Sequence, residues 1–287
     1  MGELLELDAG LFERKFAHEP FLVDHRLSDH PLLSLSALAE LAEFLPPRFV
    51  EHNLGDVPEV LDDHDAQLKR VELSPGEIAR GIETNRCWMV LKEIEQHPDY
   101  RELLNASLDE VEELVAGIEG PMRIRKGFVF LSAPGSVTPV HIDTEHNLLL
   151  QVRGTKAMSV GQFGDSERFD RELERLYGGK PSRFLDDRPE AMEVYELRPG
   201  VGICVPHSAP HSVRNGEKTS ISLSITFQTR FSERRGNVYA VNSRLRRLRL
   251  SPHPPDGNGL RDRTKDVAWR VARAPAHAVR AIGRRSD

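Results

Sequence analysis

The chain has 287 residues, of which 39% are apolar and 29% are charged, and these values are typical of a globular protein with a sizeable core. The net charge of −6 is unevenly divided, since residues 234–287 carry +10 and the acidic remainder carries −16, which argues against nucleic-acid binding by the body of the protein. The start of the chain is acidic, no stretch approaches the roughly 18 apolar residues of a membrane span, and two cysteines cannot form a disulfide framework, so we expect a cytoplasmic protein.

The first 120 residues are predicted to be mixed but mainly helical. Ser34 is a plausible N-cap, and Pro46 with Pro47 stops the helix that Ser34 begins. A Ser-Pro-Gly-Glu sequence at 74–77 begins the next helix. The predicted elements are helices over 34–45, 74–83 and 98–117, the last ended by Gly117 or Gly120, and strands over 48–53 and 88–94, the latter with a helix as the alternative.

After residue 120 the pattern changes to short, β-branched or alternating runs separated by Gly, Pro and Asn. Several short strands with this spacing indicate a β-sandwich or barrel. The predicted strands are 123–132, 147–153, 156–163, 192–198, 201–205 and 219–229, and one helix over 166–177 interrupts them.

The basic C-terminal region is predicted to be helical over 231–249 and 261–274, and Pro275 is expected to end or kink the second helix. Val267 and Val271 form part of its apolar stripe. We expect this stripe to pack on the acidic body or on a second subunit as a homodimer. Binding to an anionic membrane surface or to an acidic or nucleic-acid partner is the alternative.

His141 and Asp143 are the first candidates for a metal site. Residues i and i+2 of a strand point to the same face, so these two side chains offer an imidazole and a carboxylate to one space. Non-haem iron is commonly held by two histidines and one carboxylate. An HxD pair by itself is weak, because this spacing also arises by chance on protein surfaces.

A third ligand must come from another strand, and His211 is the candidate. It lies in a proline-framed turn between two predicted strands. His207 in the same turn is the rival ligand, whereas His146 and Glu145 are expected in the loop or around the ligands rather than on the metal.

These residues resemble a known family. The runs Thr138-Pro-Val-His141-Ile-Asp143 and Asn147-Leu-Leu-Leu-Gln151-Val-Arg-Gly154-Thr-Lys156, with the later Pro206 and His211, are similar to the JmjC-type cupin hydroxylases. The likeness is to the hypoxia-factor asparaginyl hydroxylase and its bacterial cupin-like relatives, and it covers about residues 121–230. It implies an α+β protein with a double-stranded β-helix (jelly-roll or cupin) core flanked by N- and C-terminal helices. The expected regions are 1–120 packing on the barrel, the barrel at 121–230, and a basic helical region at 231–287.

The resemblance also implies Fe(II) at His141, Asp143 and His211, with 2-oxoglutarate as co-substrate. Lys156 and Thr138 would bind the distal carboxylate of 2-oxoglutarate, and Asn147 would lie beside it or just outside the site. The family often has an aromatic or aliphatic run ending in Pro-Pro after the lysine, and Trp or Tyr in the turn before the last histidine. Residues 157–163 and 208–210 depart from both patterns, which affects the substrate entrance rather than the iron.

The expected function is therefore an Fe(II)- and 2-oxoglutarate-dependent dioxygenase, which uses O2 to hydroxylate a C–H bond of a protein, peptide or small metabolite. Two other classes remain open: a non-catalytic metal-binding cupin that acts as a sensor or regulator, and a cupin metalloenzyme that does not use 2-oxoglutarate. Lys156 and Thr138 discriminate between them, because neither alternative needs a cation and a hydroxyl deep in the barrel.

Overall fold

The computed structural model describes residues 3–54, 73–85, 87–179, 185, 189, 191–256 and 259–283, with the backbone alone for 53–54 and 274–283. The α-helices of these residues are Ala9–Lys15 (α1), Leu35–Phe44 (α2), Pro75–Arg80 (α3), Pro98–Glu119 (α4), Ser166–Tyr177 (α5), Arg230–Arg247 (α6) and Leu260–Gly283 (α7). The strands are Leu5–Glu6 (β1), Phe21–His25 (β2), Val50–Leu54 (β3), Cys87–Lys92 (β4), Met122–Ser132 (β5), Val137–His141 (β6), His146–Arg153 (β7), Lys156–Gln162 (β8), Ala191–Leu197 (β9), Val201–Val205 (β10), His211–Asn215 (β11) and Ser220–Thr229 (β12). None of the described helices is long and apolar enough to cross a membrane.

The predicted helices begin where their caps were expected. Ser34 accepts a hydrogen bond from the Ala37 amide at the start of α2, and Ser74 with Glu77 forms a capping box at α3. The strand predicted over 88–94 is β4, which spans Cys87–Lys92, and a short 3-10 helix follows it at Ile94–Gln96. The local sequence pattern did not indicate α1, β1, β2 or β11. Strand β2 is short, and its pairing partner β10 lies about 180 residues further along the chain. His211 was expected in a turn, and it begins the five-residue strand β11.

Two antiparallel sheets face each other. The larger has the strand order β1-β2-β10-β7-β12-β5-β4-β3, and the smaller has the order β6-β11-β8-β9. The eight strands β5 to β12 are divided equally between the two sheets, with β5, β7, β10 and β12 in the larger and β6, β8, β9 and β11 in the smaller, and they make the double-stranded β-helix. The predicted α+β class with this core is therefore confirmed.

Strand β12 shows how the larger sheet separates its two faces. Its apolar side chains enter the main hydrophobic core with the N-terminal helices and are Ile221, Leu223, Ile225 and Phe227. The residues between them face the smaller sheet and are small and polar, namely Ser220, Ser222, Ser224 and Thr226. This alternation with a period of two leaves the space between the sheets lined by hydroxyl groups.

A second, smaller cluster lies between the two sheets. It combines Leu149, Ile203 and Val205 of the larger sheet with Met158 and Val213 of the smaller one. Because the inward face of β12 carries serines, this cluster does not fill the space between the sheets completely with apolar side chains.

The chain forms two compact units: residues 1–164 with 184–229, and residues 165–183 with 230–287. The first contains both sheets and the N-terminal helices. The second contains α5, α6 and α7, so the helix that interrupts the strand series belongs with the C-terminal residues. The division at 120 and 230 into three domains stays a prediction.

Two expectations about the last helix, that Pro275 ends or kinks it and that its stripe packs on the body or in a dimer, are each corrected in part. Helix α7 continues through Pro275 to Gly283, so it does not end near Ala274. Its expected packing stripe is solvent-facing in the single chain, with Val267 59% and Val271 67% exposed, whereas Asp262 is buried. Polar contacts connect the helices of this unit: Asn237 of α6 donates a hydrogen bond to Asp266 of α7, and Tyr239 of α6 donates one to Asp170 of α5.

Gly154, in the turn between β7 and β8, is required by its surroundings. It has a φ of +70°, and a Cβ there would lie 2.3 Å from the Thr219 carbonyl oxygen. Gly135 has the same backbone conformation, with a φ of +71°, but no atom lies within 4 Å of its Cβ position. We expect Gly135→Ala to cost about 1–2 kcal/mol of unfolding free energy for the left-handed conformation. Gly154→Ala should cost about 1–3 kcal/mol more, because the Thr219 backbone must also move. Denaturant unfolding measures both values, and equal losses would contradict this account of Gly154.

Candidate metal centre and its barrel

Three potential metal ligands converge where β6 and β11 meet. His141 ends β6, His211 begins β11, and the two are directly opposite each other in the sheet. The Oδ2 atom of Asp143 lies 3.8 Å from His141 Nε2 and 3.5 Å from His211 Nε2. The three ligand atoms lie within 4.8 Å of one another, which is the spacing that a single bound cation requires.

Hydrogen bonds to the backbone set the orientation of both imidazoles. His141 Nδ1 lies 2.8 Å from the Pro139 carbonyl oxygen, and His211 Nδ1 lies 2.9 Å from that of Ala209. A carbonyl oxygen only accepts, so each Nδ1 carries the proton and donates. Each Nε2 therefore faces Asp143, and the neutral form of each ring would offer its lone pair there. This is the tautomer that metal-binding histidines use when a second group holds the other nitrogen.

An irregularity in β6 places Thr138 on the same face as His141. Between His141 and Thr138 the strand advances three residues, whereas its partner advances only two, from His211 to Val213. A bulge of this kind changes which face the following side chains occupy. Simple alternation would have put Thr138 on the opposite face, so the bulge is what brings its hydroxyl toward the metal centre.

Lys156 begins β8 and points into the space between the sheets. It lies opposite Asn215, while Met158 lies opposite Val213 and Val160 opposite His211. These pairs form one inward row, with Lys156 four residues, or about 13 Å of strand, from the level of the histidines. A lysine side chain and a five-carbon dicarboxylate together can bridge this distance.

The ammonium group of Lys156 is in an unusual environment. Lys156 is only 3% exposed, and burial lowers the pKa of its ammonium group to about 7. Among the residues that the structure describes, no acidic side chain contributes to this pKa. A buried cation without an anion is costly, and an acidic ligand at this position would offset that cost.

Asn147 and Gln151 point inward from β7 toward the serines of β12. Asn147 Oδ1 accepts a hydrogen bond of 2.8 Å from Ser224. Gln151 accepts from Ser222 and donates to Ser220. Gln151 therefore joins two strands, whereas Asn147 lies on the same inward face nearer the metal centre. The serine row was visible in the sequence as alternation in Ser-Ile-Ser-Leu-Ser-Ile, although sequence analysis did not use it as a site signal.

The structure separates His207 from the candidate ligands. His207 groups instead with His146 and Glu119, whose ligand atoms also lie within 4.8 Å of one another. Glu119 was not singled out by sequence analysis. It ends α4, 27 residues before His146, and no short motif connects the two.

No protein-family model and no curated protein matches the chain. Solved structures do match, at low sequence identity. The structure of YcfD from Escherichia coli is 16% identical, with a TM-score of 0.54, over 95% of this chain and 69% of that chain. YcfD described as a ribosomal oxygenase in complex with cobalt and 2-oxoglutarate is 15% identical, with a TM-score of 0.52, over 94% of this chain and 67% of that one. A complex of YcfD with cobalt and succinic acid matches equally well, with a TM-score of 0.52. This likeness shows the fold, and it agrees with the double-stranded β-helix core predicted from the sequence.

The buried charge of Lys156 predicts a pH dependence of stability. Its folded pKa of about 7 lies below the ordinary value of 10.5, so the unfolded chain binds more protons between these pH values. Stability of the unliganded protein should therefore rise with pH across this range. Lys156→Met should be more stable than the wild type at pH 7, on the order of a few kcal/mol, and the difference should shrink toward pH 10. Denaturant unfolding at several pH values measures this, with exposed Lys218→Met as the control. A destabilised Lys156→Met variant at pH 7 would contradict the burial of an unpaired charge.

Proposed function

We propose that this protein is an Fe(II)- and 2-oxoglutarate-dependent dioxygenase that hydroxylates a C–H bond. The observation that carries the proposal is the shared inward row. It has a two-histidine, one-carboxylate group at one level and, further along the same strands, a buried lysine that has no acidic partner among the residues the structure describes. The complexes of YcfD with cobalt, 2-oxoglutarate and succinic acid support it from a protein of the same fold.

His141, Asp143 and His211 fit Fe(II) by the chemistry of their donors. Two neutral imidazoles and one carboxylate occupy one face of an iron centre and leave the other positions for a co-substrate and O2. The hydrogen bonds of both Nδ1 atoms to backbone carbonyls hold the rings before any ion arrives. Bound iron with 2-oxoglutarate supplies the oxidising chemistry, and the protein supplies the orientation and a water-poor space between the sheets.

Lys156 and Thr138 are proposed to bind the distal carboxylate of 2-oxoglutarate. The ammonium gains an anionic partner, and the Thr138 hydroxyl donates a second hydrogen bond from the inward face of β6. Ligand binding would raise the pKa of Lys156 again, because the carboxylate stabilises its charged form. Asn147 lies on the inward face of β7, held by Ser224, and is proposed to lie beside the co-substrate.

The substrate is proposed to be a protein, peptide or small metabolite, and YcfD, which has the same fold, is described as a ribosomal oxygenase. A reducing, cytoplasmic location is consistent with Cys87 and Cys204, which are both free and buried. A homodimer through the exposed residues of α7 stays a prediction.

Replacing each histidine in turn should show which of His207 and His211 is the metal ligand. His211→Ala should abolish tight binding of Fe(II), because two remaining donors do not hold the ion, and should leave the circular dichroism spectrum unchanged. His207→Ala is the matched control from the same turn and should keep one ion per chain. Metal content after anaerobic loading and desalting measures both. Loss of iron in His207→Ala with retention in His211→Ala would overturn the ligand assignment.

Turnover of the co-substrate tests the function itself. With Fe(II) and O2, the wild type should release succinate from 2-oxoglutarate slowly even without the substrate to be hydroxylated. Lys156→Met should weaken 2-oxoglutarate binding by about 1.5–3 kcal/mol, which is on the order of 10–150-fold, because a charge-assisted hydrogen bond is lost. Lys218→Met should behave as wild type. Metal binding without succinate release, and with equal 2-oxoglutarate affinity in both variants, would favour a metal-binding sensor or another cupin enzyme.

A further inference from the structure

A second group of titratable side chains lies near the candidate metal centre and consists of Glu119, His146 and His207. These residues come from the end of α4, the start of β7 and the turn between β10 and β11. The donor types could suit a cation, but both ring nitrogens of His146 already have partners. The His207 amide donates to Nδ1 at 3.4 Å, so Nε2 carries the proton and donates to Glu119 Oε2 at 2.9 Å. The geometry is that of a hydrogen-bonded chain.

The residues around these hydrogen bonds keep Glu119 charged and fixed in place. His146 is fully buried, and its ring lies 4.7 Å from that of Phe16 and 5.3 Å from that of Phe227, centroid to centroid. Thr229 donates a further hydrogen bond of 2.7 Å to Glu119. Burial raises the pKa of Glu119, but the hydrogen bonds from His146 and Thr229 and the nearby His207 outweigh it, so the pKa lies below its ordinary value.

From Glu119, the hydrogen bonds lead through His146 to the turn that precedes His211. Two consecutive backbone amides of this turn each donate a hydrogen bond. The His207 amide donates to His146, and the Ser208 amide donates to the Asp143 carbonyl oxygen at 2.9 Å. Ser208 has a φ of +67°, which is a conformation that costs a residue other than glycine about 1–3 kcal/mol. The surrounding hydrogen bonds must therefore hold the turn in this shape.

We propose that Glu119, acting through His146, is a positioning residue for the metal centre. It holds the His207–Ser208 turn, which carries His211 and binds the backbone of Asp143, so it influences two of the three proposed ligands. The inference rests on the proposed function.

The faces of β7 explain why this role is indirect. Asn147 points between the sheets with Leu149, whereas His146 lies on the other face with Leu148, against Phe16 and Phe227. Glu119 therefore does not touch the space where a co-substrate would bind. Its effect reaches the ligands through hydrogen bonds and the backbone alone, as partners behind metal ligands do elsewhere.

Cobalt(II) alone is a suitable probe, because its absorption spectrum reports ligand geometry without turnover. We expect Glu119→Ala to raise the Co2+ dissociation constant about 10-fold and to alter the spectrum of the bound ion. His146→Phe should do the same, since a phenyl ring fits between Phe16 and Phe227 but offers no hydrogen bonds, and this variant serves if Glu119→Ala does not fold. Glu119→Gln keeps an oxygen acceptor and should restore the wild-type constant. Glu113→Ala, exposed on the same helix, is the matched control.

Several results would overturn the proposal. Glu119→Ala and His146→Phe variants that are less stable to heat, yet bind Co2+ with the wild-type constant and spectrum, would make the group purely structural. Two Co2+ ions per wild-type chain, with one lost in Glu119→Ala, would make it a metal site instead. The proposed function is tested separately in the same titration, because normal Co2+ binding by His211→Ala would reject the metal centre whatever Glu119 does.

Discussion

The pairing of β11 with both β6 and β8 is the constraint on which the whole site depends. This central strand of the smaller sheet places His211 opposite His141 on one side and Asn215 opposite Lys156 on the other. A slip by one residue would turn every inward side chain of β11 to the opposite face. The backbone register therefore decides at once whether the metal ligands meet and whether the lysine shares their space.

Two buried ionisable side chains, Lys156 between the two sheets and Glu119 outside the larger sheet, have different surroundings. Lys156 faces inward without an acidic partner among the described residues, so its pKa falls to about 7. Glu119 lies on the outer side and has His146 and Thr229 as donors, so its pKa is lowered despite burial. A satisfied buried charge fixes structure, and an unsatisfied one lowers stability until a ligand pairs with it. The first kind suits support of a site, and the second suits recognition of a dicarboxylate.

The serine row of β12 belongs to the same arrangement. Small hydroxyl side chains hold Asn147 and Gln151 in place and leave room that leucine or phenylalanine would fill. The apolar face of the same strand packs on the N-terminal helices, where Phe12 and Phe16 stack against the core. One strand thus separates a packed core, which provides stability, from a polar space, which is available for chemistry.

The sequence by itself determined whether most elements are helices or strands, because caps, prolines and periodicity are local features. It also determined the residue types of the candidate site, through the spacing from Thr138 to Lys156. It left His207 as a rival of His211, since two histidines in one turn differ only in which neighbours the fold brings to them. Tertiary structure decided that choice of neighbours, the bulge that turns Thr138 inward, and the meeting of Glu119 with His146. It also decided that the valine stripe of α7 faces solvent in the single chain. These features depend on strand register and on contacts between residues far apart in the chain, which no local pattern encodes.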